Sequence, residues 1–376
     1  MVVRVELIVR VELVVRVVID IGHPAHVHFF RNTIRNLENR GHDVKITARN
    51  KEVALMLLSL YRLEYTNIGE NYDSILKKAL GMPVIDYKLY KTIKSFKPQL
   101  LIGVHNPYAA QVAKLTGAKS LIFTDTENVK IASALTYPFA STICTPACFR
   151  EILDSDKHVK YNGYKEIAYL HPAYFKPDVS VLDSLGISKN EKFTIMRLIS
   201  WRANHDIGLK GIKKEEEFIR ELEKSGRVIV SSERALDKKL ERFALKIPPE
   251  KLHSLLAFAQ LYIGEGGTTA VEAAMLGTPA IHIEADSKGR ATGESSGNFL
   301  ELRDKYDLLY FYPDTASALK RAGEILEDKN SKPEWGRKRE RLLKDKIDVT
   351  AWMTDFIEGY PGSFYEYRRG SVQQNF

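Results

Sequence analysis

From Val15 to about residue 346, short apolar runs alternate with stretches whose apolar positions recur every three or four residues. Parallel strands joined by crossover helices read this way, because each return to the same end of a sheet needs a helix. In the first half the pattern predicts strands near 17–22 (VVIDIG), 43–48 (DVKITA), 64–68, 99–104 (QLLIGV), 119–123 (KSLIF) and 141–145. Helices are predicted near 26–40, 51–61, 73–96, 107–116 and 127–136. Several strands are apolar throughout, as strands covered on both faces should be. The alternation stops at 161–192, where Gly163, Pro172, Pro177 and Gly186 punctuate a polar-aromatic stretch. That stretch predicts an interdomain connection wrapped on the surface. Strands resume near 193–199, 227–231, 260–264 and 279–283, with helices near 213–224, 235–245, 250–258, 268–276, 296–304, 315–328 and 333–346.

The expected fold is therefore α/β, with two Rossmann-like parallel-sheet domains facing across a cleft. Residues 15–163 are expected to form the first domain, 164–192 the connection and 193–346 the second domain. The aromatic segment 347–376 forms a helix and tail crossing back to the first domain.

Composition narrows the picture. A chain of 376 residues exceeds one compact core, and 44% hydrophobic with 28% charged residues is ordinary for a globular protein. No apolar run reaches the 18 residues a membrane helix needs. The net charge of +8 favours anionic partners, whether phosphates, nucleic acid or an acidic membrane face, without choosing among them. Cys144 and Cys148 have no companion pair at zinc spacing and read as buried thiols of a reducing cytosol. A six-residue near-repeat opens the chain: VRVELI, VRVELV, VRVVID. Two readings of residues 1–14 stand level, an extra edge strand or sequence upstream of a natural start at Val15.

In open parallel sheets, ligands sit beyond the carboxyl ends of the strands, where loops meet helix N-termini. One such place is DIGHPAHVHFFRNTI, 20–34. Gly22 ends the strand, Pro24 fixes the turn, and His26 stands where unpaired amides and the helix dipole attract anions and depress a histidine's basicity. A neutral imidazole there suits a general base, with His23 and His28 as rivals. The plainer alternative is that these histidines only cap and pack the turn.

The other place is GEGGTTAVEAAMLGTP, 264–279. Gly266 and Gly267 give a backbone free to adopt positive φ and to approach a phosphate, while Thr268 and Thr269 add hydroxyls and first-turn amides. Glu272 lies one turn on, along an otherwise apolar helix, where it can grip a ribose. The plainer alternative is a capping box, Thr269-x-x-Glu272. Weaker signals at other strand ends are His105 and Asn106; Asp125 and Glu127; Ser200, Arg202 and His205; and the polar loop 284–299, which includes Glu294.

Together these residues resemble the GT-B nucleotide-sugar enzymes. The pairing of a glycine-histidine turn with Gly-Gly-Thr-Thr-x-x-Glu is similar to the lipid-intermediate N-acetylglucosamine transferase of peptidoglycan synthesis and to UDP-N-acetylglucosamine 2-epimerase. Through GHPAHVHFFRN, YFKPDVSVLDSLG and GEGGTTAVEAAMLGTP, the chain from Val15 onward most resembles a largely archaeal family, domain of unknown function 354. The resemblance implies that His26 matches the transferase's loop histidine, Glu272 its ribose-binding glutamate and Gly266–Thr269 its phosphate turn. The first loop departs from the transferase, since GHPAH replaces a glycine-rich run. The epimerase's acids fall on Asn106 and Asp125, while SWRANH (200–205) resembles its basic turn.

The function expected is glycosyl transfer from a nucleotide diphospho-sugar, UDP-linked, in the interdomain cleft. His26 and His23 would be catalytic. Gly266, Gly267, Thr268, Thr269, Glu272, Arg202 and Ser200 would hold the nucleotide, with Gly22, Asn106, Asp125 and Glu294 on the acceptor or sugar side. The acceptor would be a saccharide or a lipid-linked molecule at an acidic membrane face, for a cytoplasmic protein peripheral to the membrane. No cofactor, metal or nucleic acid is invoked. The alternatives are an epimerase or hydrolase on the same scaffold and a non-catalytic basic binding module.

Overall fold

The structure is a computed structural model and describes residues 14–70, 75–127, 129–154, 156–201 and 209–373. Residues 1–13, which hold the first two copies of the opening repeat up to Leu13, lie outside the described residues, as do Arg202 and His205.

Two all-parallel sheets organise the chain. The first contains β1 (Arg16–Ile21), β2 (Asp43–Asn50), β3 (Tyr65–Glu70), β4 (Leu100–Val104), β5 (Lys119–Phe123), β6 (Thr142–Pro146) and β7 (His158–Tyr161), in the order β3-β2-β1-β4-β5-β6-β7. The second contains β8 (Phe193–Leu198), β9 (Arg227–Ser232), β10 (Leu261–Gly264), β11 (Ala280–Ile283) and β12 (Leu309–Tyr312), in the order β12-β11-β10-β8-β9. This is the GT-B arrangement of two Rossmann-like lobes. In each sheet the chain winds first to one side and then to the other. The reversals fall between β1 and β4 and between β8 and β10, the positions where such sheets bind ligands.

The core strands are closed to solvent on both faces, with Val17, Val18, Ile19 and Leu101, Ile102 in one lobe and Leu261, Tyr262, Ile263 and Ile281 in the other all fully buried. Their continuous apolar sequence follows from that double coverage. Two short strands escape the sequence pattern. Lys160 interrupts β7, and β12 is four residues following a tight turn with Asp307 at positive φ. The helix expected at 235–245 is replaced by one 3₁₀ turn, Glu241–Phe243. Ala244 forms a parallel bridge to Val230, and Leu245 N donates to Val230 O at 2.8 Å, which draws the chain to the edge of β9 instead.

The first part of the connection corrects the surface reading, while residues 171–180 keep to it, none of them being buried. Residues 164–170 are buried throughout, with Tyr164 and Tyr169 at 0% exposure. The segment is wedged below the helix Pro24–Asn39, where Asn32 Nδ2 donates to Ala168 O at 2.9 Å. From the other side Thr350 Oγ1 donates to the same carbonyl at 2.6 Å. Its tyrosines are packing aromatics, which the nearby glycines and prolines disguise.

The C-terminal helix Val349–Glu358 lies along Pro24–Asn39, so the chain returns to the first lobe. Asn36 Nδ2 meets Thr354 at 3.4 Å, and Arg40 pairs with Asp355 and Glu358. Among the described residues no helix is long and apolar enough to cross a membrane.

Candidate active site

In the second lobe β10 ends at Gly264, and the helix Gly267–Met275 starts at the switch point. The loop between them is built for packing. A Cβ on Gly264 would lie 2.4 Å from Arg197 O, and one on Gly266 would lie 3.1 Å from both the Tyr262 hydroxyl and Arg197 Cγ. Gly266 has φ −82, and Gly267 is not in the left-handed region either. Glycine is therefore used here for close approach of β8, and the expected positive φ is not found.

Tyr262 Oη donates to Gly266 O at 2.8 Å, and His282 Nε2 lies 3.0 Å from Glu265 O. The Glu265 carboxylate accepts from Ile199 N at 3.0 Å and Ile212 N at 2.8 Å, which binds the loop after β8 to this turn. Burial pushes its pKa up to about 7. At the helix tip Gly266 is the N-cap and no side chain caps the first turn, so the capping box does not form. Thr268 is exposed and Thr269 buried. First-turn amides have no carbonyl one turn back within their helix, so those at this uncapped tip can receive an anion.

Glu272 differs from its expected place. It is 5% exposed, and its Oε1 accepts from Tyr169 Oη at 2.8 Å and lies 3.0 Å from His253 Nε2. Burial pushes its pKa up, but the His253 ring and the Tyr169 hydroxyl outweigh that, and the net shift is downward. Stacked on Tyr169 and edge-on to His253 is His28, from the first-lobe helix. The carboxylate thus sits on the seam between the lobes but is turned into protein contacts, so no ribose can be gripped in this arrangement.

The polar groups of the first-lobe turn are likewise engaged by protein partners. Asp20 accepts from Thr47 Oγ1 at 2.7 Å, Arg49 Nη1 at 2.5 Å and Asn106 Nδ2 at 2.6 Å. Asn106 is 2% exposed and caps the helix Pro107–Thr116 through its other amide atom, accepting from Ala109 N at 3.0 Å. It is a brace for Asp20 rather than a sugar contact. Gly22 is overlaid by Arg49, whose Nη2 would lie 2.1 Å from an added Cβ.

His23 is exposed and caps the helix Pro24–Asn39 with Nδ1, accepting from Ala25 N at 3.2 Å. His26 Nδ1 faces Gly22 N at 3.4 Å. Burial, then the charges of His23 and Lys165, hold its pKa well below the usual histidine range, so it is neutral. With Nδ1 accepting, the neutral ring carries its hydrogen on Nε2 and presents a donor.

Three further expected residues lie apart from these. Ser200 N and Oγ both face Glu233 Oε2 at 3.4 Å. The Glu294 side chain is exposed and pairs with Arg303 at 2.8 Å, away from a ligand role. Asp125 pairs with a residue that sequence reasoning did not select: Lys165 Nζ lies 2.8 Å from Asp125 Oδ2 and 3.6 Å from Glu166 Oε1. Arg197 was also missed. It sits against the glycine turn and binds Ser231 and Glu233, each at 2.7 Å. Its sequence signal is a lone arginine near the end of an apolar strand; Lys165 has a comparable one, a charged pair between tyrosines in a stretch otherwise read as linker.

The seam is also closed from the first lobe. Glu127 Oε1 accepts from Gly297 N at 3.0 Å, at the start of the helix Gly297–Asp304.

The profile of the family described as protein of unknown function (DUF354) matches residues 15–288. The chain belongs to this family. Another protein related to this DUF354 chain, uncharacterized, from Methanocaldococcus jannaschii, is 25% identical over 277 residues, covering 70% of this chain and 80% of that one. Among solved structures, the UDP-GlcNAc 2-epimerase of Neisseria meningitidis bound to UDP-GlcNAc has a TM-score of 0.62 at 13% identity, covering 91% of this chain and 99% of that chain. The spinosyn forosaminyltransferase also has a TM-score of 0.62, at 12% identity, covering 92% of this chain and all of that one, 100%. At such identity these likenesses establish a shared GT-B fold and nothing about the reaction.

Proposed function

We propose that the protein binds a nucleotide diphospho-sugar, UDP-linked, between its lobes and acts on the sugar by acid–base chemistry, as an epimerase or hydrolase. The observation that carries this reading is the uncapped tip of the helix Gly267–Met275 at the second switch point, with charged groups buried in the seam beside it. Gly266, Gly267, Thr268 and Thr269 would hold the diphosphate, their amides stabilising charge that grows as the anomeric carbon–oxygen bond breaks. Ser200 and Arg202 would assist from the loop after β8. Asp125 and Gly22 face the sugar in this reading. Glu272 grips the ribose once Tyr169 and His253 release it.

Glycosyl transfer is the second reading. The place of His26 at the first switch point favours it, as does the likeness to a transferase fold. It requires His26 to turn its unprotonated nitrogen from Gly22 toward an acceptor hydroxyl, with His23 as the alternative base. A lipid-linked or saccharide acceptor belongs to this reading alone.

Incubating the protein with UDP-sugars and no acceptor tests the choice. Free UDP or an isomerised sugar is expected; turnover only after an acceptor is added would favour transfer. If no nucleotide in a panel raised the melting temperature, both readings would fail, because a ligand at a hundredfold excess over its Kd stabilises by about 2.7 kcal/mol.

A further inference from the structure

Where the linking segment passes between the lobes, one ammonium serves several carboxylates. Lys165 Nζ is closer to Asp125 (2.8 Å) than to Glu166 (3.6 Å), and Glu272 acts on both Lys165 and Glu166 from the second-lobe helix. Glu166 is 1% exposed, and its Oε2 has no hydrogen-bond partner. An orphaned buried oxygen costs on the order of 1–3 kcal/mol, so a stabilising role does not account for it. The groups facing Glu166 are Lys165, Asp125, Tyr161 on β7, Tyr169 and Glu272. The charge of Lys165 also reaches His26. The segment itself is held from both sides: Asn32 of the first-lobe helix donates to Ala168 O at 2.9 Å, and Tyr169 Oη donates to Glu272 of the second-lobe helix at 2.8 Å. The cluster therefore lies between the lobes, where the sugar would sit in the reading above.

We propose that Glu166 is a catalytic acid–base residue of this protein, acting on the sugar of a nucleotide diphospho-sugar, and that Lys165 and Asp125 position it. This rests on the nucleotide-sugar reading. Ionised Glu166 Oε2 takes a proton from the sugar carbon beside the anomeric centre. The electron pair of that C–H bond forms a carbon–carbon double bond as the anomeric C–O bond breaks, and the leaving diphosphate takes the C–O pair. Glu166 ends neutral, and return of its proton with re-addition of the diphosphate closes the cycle. Burial, opposed by Lys165 and reinforced by Asp125, raises the Glu166 pKa to about 7, so both protonation states are available near neutrality.

The test follows deuterium entry from heavy water into a panel of UDP-sugars, across pH, with UDP binding measured in parallel. The wild-type rate is expected to rise with pH through about 7. Glu166→Gln should lose roughly 100-fold or more in exchange while still binding UDP. Glu166→Asp should retain part of the rate, and it keeps the test open if the glutamine variant does not fold. Lys165→Met should move the limb to higher pH and Asp125→Asn to lower pH, shifts that a purely structural role would not produce. Exchange unchanged in Glu166→Gln, or absent from a wild-type protein that binds UDP, overturns the inference. A wild-type protein that binds no nucleotide overturns the nucleotide-sugar reading instead.

Discussion

The two glycine-bearing turns look equivalent in sequence, yet they hold glycine for different neighbours. At Gly22 the space is filled by the tip of Arg49, a side chain held by its buried ion pair with Asp20. At Gly264 it is filled by the backbone of β8, with Arg197 O at 2.4 Å and Arg197 N at 2.6 Å from an added Cβ. One turn is closed by a side chain that must loosen an ion pair to give way, and the other by a strand that cannot retreat. Glycine after a strand thus reports a close approach, and only the structure says whether side chain, backbone or ligand makes it.

The strongest way to break this comparison is to add a methyl group to each turn. Gly264→Ala should destabilise the protein by about 3 kcal/mol or more, since the clash is with backbone. Gly22→Ala should cost less than Gly264→Ala, about 1–2 kcal/mol, because Arg49 can shift only by loosening its buried ion pair with Asp20. Urea unfolding of the pair measures both; equal losses would show that Arg49 is as fixed as a strand.

Next in size is Glu272→Gln, expected to cost about 2 kcal/mol at neutral pH by weakening the contacts to His253 and Tyr169. The folded-state pKa of Glu272 is lowered. Its contribution is therefore present above the ordinary glutamate value and lost as pH falls through the depressed one. The gap between variant and wild type should close on acidification, and a gap constant from pH 7 to pH 3 would refute the assignment.

A smaller effect of opposite sign is expected near the first turn. Burial, then the charge of Asp20, pushes Asp86 up to about 7, and one of its oxygens has no partner. Stability should fall as pH rises from the ordinary aspartate value through 7. Asp86→Asn should recover about 1 kcal/mol at pH 8, after allowance for solvent screening, and nothing at pH 4. Thermal melts at the two pH values decide it.

The smallest change in stability belongs to Thr268→Ala at the exposed tip, within about 0.5 kcal/mol. Its UDP affinity should nevertheless drop several-fold, about the loss of one hydrogen bond. Unaltered affinity in calorimetry would move the diphosphate elsewhere.

The lobes and both switch points were legible because buried parallel strands need apolar runs, and Val17–Ile19 and Leu261–Gly264 supply them. Lys165 and Glu166 were not legible. Their importance comes from burial in a segment whose glycines and prolines read as surface, and from proximity to Asp125, forty residues earlier by count of the chain. Glu272 was found for its isolation on an apolar helix, but the sequence has no way to announce that Tyr169 and His253 would occupy it first. Asn106 misled for a related reason. An asparagine at the end of a strand can cap the next helix as readily as it can meet a sugar.

Gly163 admits Val349 so closely that an added Cβ would lie 2.4 Å from Val349 Cγ2. Beside it, Asn162 Nδ2 donates to Asp345 O at 2.8 Å, and Ile347 N donates to Asn162 O at 3.0 Å. The outgoing and returning passages between the lobes are thus stitched side by side, like two threads in the spine of a book. Such a binding would make that line the axis of any swing between the covers, and it resists sliding or twisting. Any opening between the lobes would then be a matter of one angle, and a crosslink across the fore-edge should hold that angle fixed.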